Sequence, residues 1–358
     1  MQGKSRVLVR SLVLLASFVA LTFNAPLADA ADKVIKWKMQ THWPPSSSSY
    51  KDSAQVLVEK LKERTGGRLN IELFSADALV PSKELFNAAK RGMIEIVGTS
   101  SAYPRDQVPL MDVASGLPMN FKDTWECAYF HKEMGFDDMV GKAFAKHGLY
   151  YTPDKVYPTE LSLKKPVRKF EDFKGLKLRS SGILQVYLTA IGAAGSPLPG
   201  SEIYAALTSG VVEGAHWGAV QGSDSMGFYE VNKYHLRPAL NVASTDIWLI
   251  NQKALNALPQ DIQKILKDTL DEHFWLRTDE YQHLEEVTLA KVQKEKGVEL
   301  IQLAKEDIKK MSDAAQPIWE DVAKRSPDNA AAVELLRKFH ATDKSEAVQK
   351  LKEAHATK

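Results

Sequence analysis

The sequence predicts an α/β protein built as two lobes. Three observations lead there: strand and helix patterns alternate over 34–97, the same rhythm returns over 175–215, and 358 residues exceed what a single core usually fills. A long helix is expected to open near Pro259. No internal repeat and no low-complexity linker interrupts the chain.

The elements follow in order. Residues 34–39 alternate apolar and polar as a half-buried strand does, and 50–64 carry Ala54, Leu57, Val58 and Leu61 at helical spacing before a Gly66-Gly67 stop. A second strand covers 68–74. After Pro81 a short helix over 82–91 leads through Gly92 into a strand over 94–97. Helical spacing returns over 121–133 and 137–146, followed by two strand-like pieces at 149–152 and 159–163. The second lobe reads as strand 176–179, helix 183–191, turn 197–200, helix 202–208 and strand 211–215. A strand is predicted over 245–250. Beyond Pro259, the residues Ile262, Ile265, Leu266, Leu270, Phe274 and Leu276 suit the inward face of a long helix. From about 306 the chain is charged, amphipathic and helical, including 331–339 and 345–354, and the segment from Ser326 reads as a solvated cap over the second lobe.

A hydrophobic fraction of 44% with 26% charged residues excludes disorder, and a formal charge of +2 gives no phosphate-neutralising surface, so no nucleic-acid partner is expected. Lys4, Arg6 and Arg10 precede an apolar run over 12–23, and Ala28-Asp29-Ala30 carries the small residues a signal peptidase reads; residues 1–30 are expected to be a cleaved secretory signal. The run is short for a membrane anchor, so the mature chain is not expected to be membrane-embedded. The lone Cys127 has no intramolecular disulfide partner and reads as a small buried hydrophobe.

Searches for catalytic motifs mostly fail. There is no G-x-G-x-x-G, and the stretch 135–143 has the wrong spacing for a P-loop. Gly98-Thr99-Ser100-Ser101-Ala102 lacks the closing glycine of a nucleophile elbow and reads better as a loop of hydroxyls available to a ligand. The nine His show no metal-binding spacing, and carboxylate-rich calcium loops are absent from the sequence. Neither a cofactor nor a dedicated metal site is expected.

One constellation remains: Phe173-Lys174-Gly175-Leu176-Lys177-Leu178-Arg179-Ser180-Ser181-Gly182, then Pro197-Leu198-Pro199-Gly200-Ser201-Glu202-Ile203-Tyr204, then Gly210-Val211-Val212-Glu213-Gly214-Ala215-His216-Trp217. Read alone, Arg179 at a strand end is equally a ligand anchor or a surface arginine paired with a glutamate. With Thr65-Gly66-Gly67-Arg68-Leu69 and Ala88-Ala89-Lys90-Arg91-Gly92, however, the order of segments over about 34–325 resembles the periplasmic solute-binding subunits of TRAP transporters, the DctP family.

That resemblance implies a class II-like two-lobe periplasmic binding protein fold, with strands that cross between the lobes and the long helix near Pro259 connecting them, a periplasmic location, a small organic acid as ligand and TRAP membrane permease subunits as partners. It implies that Arg179 grips the ligand carboxylate with its guanidinium fork. Trp217 stands where members resembling 2-oxoacid and lactate binders carry Trp, and is expected to wall the cleft; His216 beside it points away if the strand continues. Trp43 follows the first strand and is placed to cover the cleft from the other lobe, although a core role suits it equally. Ser100 is expected to offer its hydroxyl.

Two departures bear on the ligand. Family members taking dicarboxylates or sialic acid tend to carry a second basic residue about twenty positions before the strand arginine, where this chain has Pro158-Thr159-Glu160. Members resembling oxoacid binders hold a bridging cation with a Gln in that earlier strand and a Glu some twenty-five residues after the Trp, where this chain reads Val242-Ala243-Ser244-Thr245-Asp246. Glu160 is expected in the cleft, either forming a hard-cation site with Asp246 or accepting hydrogen bonds from the ligand. Both outcomes favour a monocarboxylate with a polar or aromatic remainder. The competing classes are an exported hydrolase using Ser100 or Ser101, and the binding protein of an ATP-driven importer.

Overall fold

The computed structural model describes residues 34–342; the expected signal at 1–30 and the segment 345–354 lie outside the described residues. Nine strands form one mixed sheet: β1 Ile35–Thr41, β2 Leu69–Phe74, β3 Ile96–Ser100, β4 Leu149–Leu163, β5 Lys177–Ser180, β6 Ala194–Pro197, β7 Gly214–Ala215, β8 Tyr234–Asn251 and β9 Glu299–Gln302. Their order is β2-β1-β3-β8-β4-β7-β5-β6, with β9 pairing β8. β1 runs parallel to β2 and β3, and β5 parallel to β6 and β7. Each end of the sheet is therefore a small open parallel unit, as the alternating pattern predicts.

Between them lie two long antiparallel strands. β8 pairs β3 at its far end through Asp246 to Ile250 and β9 at its near end through Tyr234 to Arg237. β4 pairs β8 from Leu149 to Leu163, and its last two residues also pair β7. These are the crossing strands, and both are longer than the sequence suggests. The pieces at 149–152 and 159–163 are one strand, kept continuous across Pro153 and Pro158 by shifts in register at Pro153/Lys155, Tyr157/Thr159 and Thr159/Leu161. Such bulges bend a ribbon where it passes from one lobe to the other.

The helices mostly match expectation. The predicted helix over 50–64 is π-helical over Ser49–Gln55 and α-helical over Val56–Arg64. The helix Thr124–Lys132 starts later than predicted because Asp123 caps it, accepting the Glu126 N–H at 2.9 Å. The connecting helix Gln260–Lys296 runs 37 residues from Pro259 to Gly297. Ile262, Leu266, Leu270 and Phe274 are buried on it as expected, but Leu276 is 46% exposed, and Arg277, Tyr281 and Glu285 continue the inward face. The helix Pro327–Ala341 is not a cap over the second lobe alone: it packs on the helices Met111–Ala114 and Phe136–Ala145, while Lys305–Ala323 packs on Gly182–Ala190. Cys127 is fully buried, and burial pushes its thiol well above the usual range. Among the described residues no helix is long and apolar enough to cross a membrane.

Candidate functional site

The register of three neighbouring strands sets one side of the site. On β8, Asp246 stands opposite Ser100 of β3 and opposite Lys155 of β4. Two residues on, Tyr157 shares the Lys155 face. His42 and Trp43 follow the carboxyl end of β1. From the other lobe come Arg179 near the carboxyl end of β5 and His216, Trp217 and Gly218 beyond β7, where open parallel sheets place ligands. Together with Ser49, Tyr103, Ser181, Gly222 and Tyr281 these side chains line one cavity. The space is small, about 450 Å³ of empty volume including the part open to solvent. That admits a few waters or an organic molecule of similar bulk.

Arg179 is 2% exposed. Its Nε donates to the Leu198 carbonyl at 2.9 Å and its Nη1 to the His216 carbonyl at 3.1 Å, and its guanidinium lies 5.5 Å from the Trp217 ring centre. Burial depresses its pKa, though an arginine stays charged. No carboxylate pairs with it among the described residues. The paired surface arginine is therefore not what the fold produces; a buried guanidinium faces a cavity with donors to spare. Trp217 closes the wall, its Nε1 donating to Ser47 Oγ at 3.3 Å across the cleft. Trp43 is buried edge-on against Trp248 and also lines the cavity. Ser100 Oγ accepts the Ala102 N–H at 3.3 Å, leaving its own proton available.

Glu160 is the exception. Lys155, Tyr157 and Thr159 face the cleft side, the last lining an adjoining hollow with Ser100, so Glu160 turns the other way. Its carboxylate accepts from His235 Nε2 at 2.6 Å and Arg237 Nε at 3.1 Å. It touches neither the cavity nor Asp246, and the expected Glu160–Asp246 cation site does not form.

Several site residues escaped sequence reasoning. Lys155 lies twenty-four positions before Arg179, near where a second basic residue was sought. Its ammonium is fully buried, bonded to Asp154 at 2.8 Å and Asp246 at 2.7 Å. His216 lines the cavity because β7 ends at Ala215 and alternation stops there; its Nε2 meets Ser180 Oγ at 2.9 Å, and burial, then Arg179, hold it well below the usual range. Burial also brings His42 down to about 3, so its ring is neutral, and its Nδ1 has no partner among the described residues. The chemistry on offer is hydrogen bonding and charge pairing. Among the described residues Ser101 Oγ has no hydrogen-bond partner, and no histidine bonds Ser100 or Ser101 to activate a nucleophile.

Comparison with known proteins agrees with this geometry. Residues 39–326 match the family model of bacterial extracellular solute-binding protein family 7, DctP. The chain belongs to that family, the periplasmic solute-binding proteins of TRAP transporters. It is 26% identical over 301 residues to the monocarboxylate 2-oxoacid-binding periplasmic protein of Nostoc sp., covering 83% of this chain and 81% of that protein. A TRAP transporter solute-binding protein of Bordetella bronchiseptica, crystallised with calcium and picolinate, superposes with TM-score 0.81 at 22% identity, covering 91% and 97% of the two chains. One from Pseudoalteromonas atlantica, with sodium and pyruvate, does so with TM-score 0.81 at 21% identity, covering 91% and 99%. The two-lobe α/β fold is that of these proteins.

Proposed function

We propose that this chain, after loss of residues 1–30, works in the periplasm as the subunit that captures a small monocarboxylate and presents it to the TRAP membrane permease. Arg179 carries the reading: a buried cation whose partners, the Leu198 and His216 carbonyls and the Tyr103 hydroxyl, are all uncharged lacks one negative charge, and a ligand carboxylate supplies it. The wall of Trp217 and Trp43, with hydroxyls from Ser100, Tyr103 and Ser181, suits an acid of few heavy atoms with a polar or aromatic remainder. The other cation of the cavity, Lys155, is already charge-paired with Asp154 and Asp246, so a second carboxylate meets no uncompensated charge there. The names of the relatives support the class: 2-oxoacids, pyruvate and picolinate are all small monocarboxylates.

Lobe closure on the bound acid converts occupancy into a shape for the permease to read, because a ligand shifts the equilibrium only through its greater affinity for one form. The test is a thermal-shift and calorimetric screen of residues 31–358 against pyruvate, lactate, picolinate and succinate. One of the first three is expected to raise Tm, because a ligand bound only by the folded state stabilises it. Arg179→Ala is expected to weaken that binding by roughly 10- to 100-fold, the value of a charge-assisted hydrogen bond. A shift that survives Arg179→Ala moves the site elsewhere, and turnover of any acid revives the hydrolase reading.

A further inference from the structure

A second cation, Lys155, lies in the same cavity as Arg179. Its Nζ is fixed from two sides, donating to Asp154 Oδ2 at 2.8 Å and Asp246 Oδ2 at 2.7 Å. An ammonium has three N–H groups, so one is left. Around it stand the rings of Trp43, Tyr157 and Tyr281, with centres 5.0, 5.4 and 5.8 Å from Nζ. Strand register fixes Lys155 directly opposite Asp246, so the pair is built into the sheet.

The calcium or sodium crystallised with an acid in the neighbouring structures needs several oxygen ligands. This cavity offers serine and tyrosine hydroxyls but no uncommitted carboxylate. Asp246 spends Oδ2 on Lys155 and accepts the Tyr157 hydroxyl on Oδ1 at 3.1 Å. Asp154 is filled by Lys155, Ser53, His273 and Trp248. Among the described residues no three His, Cys, Asp or Glu gather to hold a metal. An ammonium within hydrogen-bond reach of both carboxylates also repels any second cation there.

We propose that the Lys155 ammonium takes the place of a metal ion: the site binds its acid metal-free, Arg179 gripping the carboxylate while the third Lys155 N–H donates to an oxygen on the adjacent carbon. The ligand is then a 2-oxo or 2-hydroxy monocarboxylate, and Lys155 is the residue that selects that oxygen. This rests on the carboxylate reading of Arg179. Asp154 and Asp246 both pair with Lys155, so the incoming acid meets Arg179 with no protein carboxylate already on it among the described residues.

Calorimetry on residues 31–358 tests it with pyruvate, lactate and propionate, which differ only at the carbon beside the carboxylate. Each is titrated after dialysis against EDTA and again with calcium added. Pyruvate or lactate is expected to bind equally in both buffers, and propionate at least about tenfold more weakly, the loss of one charge-assisted hydrogen bond. In Lys155→Gln that preference is expected to collapse, with propionate nearly unchanged. Binding that vanishes in EDTA and returns with calcium overturns the metal-free site while leaving the carboxylate reading standing. Equal binding of propionate and pyruvate to the unsubstituted protein overturns the role of Lys155. Failure of all three acids in both buffers takes down the carboxylate reading and this inference with it. The unsubstituted protein decides these outcomes even if Lys155→Gln does not fold.

Discussion

Gly200 fixes the indole of Trp217 in place. A Cβ there would lie 2.2 Å from Cη2 and 2.6 Å from Cζ3 of the ring, closer than any real contact. Gly200→Ala must therefore push the indole off, and with it both the stacking on Arg179 and the bond to Ser47. Overpacking of this kind typically costs about 1 to 3 kcal/mol. Pyruvate affinity is expected to fall at least about tenfold with a lower urea midpoint; an unchanged Kd would show that the ring's position does not matter to the ligand. The sequence made Arg179, Trp217, Trp43 and Ser100 legible because each sits at or just past the end of a strand, where a local pattern suffices. Lys155 and Tyr157 were not, since Pro153 and Pro158 break the strand pattern around them and only pairing with β8 restores it. Asp246 was found with the wrong partner for the same reason. Its neighbour is set by a register between residues 91 apart, not by spacing along the chain.

At the scale of elements, the longer helices and the parallel strands β1, β2, β3 and β5 were readable, and the lengths of β4 and β8 were not. Helical periodicity is a property of one segment, whereas a strand extends as far as its partners do. β6 and β9, four residues each, carry too little pattern to be seen alone. One junction between elements makes a pH-dependent prediction. Glu285, on the connecting helix, accepts the N–H groups of Val220 at 2.6 Å and Gln221 at 3.1 Å at the start of the helix Val220–Ser225. Burial first, then the charge of Glu160, raises its pKa to about 8, although those N–H groups and Arg237 pull the other way. Tyr229 and Tyr281 also face it. The folded state thus holds this proton more tightly than the unfolded chain. Its contribution is complete below the ordinary glutamate value and is lost as pH rises through about 8. Urea unfolding should show stability falling by on the order of a few kcal/mol between mildly acidic and mildly alkaline pH. Glu285→Gln, which keeps an acceptor for one N–H, should flatten that fall. A slope equally steep in the variant would assign the pH dependence to other groups.

At the scale of the whole molecule, hydrogen bonds tie the two sides of the cleft together. Contacts cross the cleft at points outside the cavity as well as at Trp217: the Ser48 N–H donates to Ser225 Oγ at 3.2 Å, and Ser201 Oγ to Asp77 Oδ2 at 3.1 Å. Asp77 adopts a left-handed backbone (φ +63°) and is braced by the Ser82 N–H and hydroxyl on its other oxygen, at 2.7 and 2.9 Å. It is a braced post that Ser201 reaches across the cleft. Because neither residue lines the cavity, Ser201→Ala weakens closure without altering the groups that face the ligand. The apparent Kd scales inversely with the fraction in the competent form. Losing one solvent-exposed hydrogen bond, at the low end of about 0.5 to 1.5 kcal/mol, should weaken pyruvate binding about two- to threefold. Dissociation should speed up while the order of preference among pyruvate, lactate and propionate stays the same. Small-angle scattering should show the unsubstituted protein shrinking on adding pyruvate, and the variant needing more of it for the same change. A changed order of preference would place Ser201 in recognition. An unchanged Kd with unchanged scattering would mean that Ser201 adds nothing to closure, which then rests on the ligand, Trp217 and the Ser48–Ser225 bond.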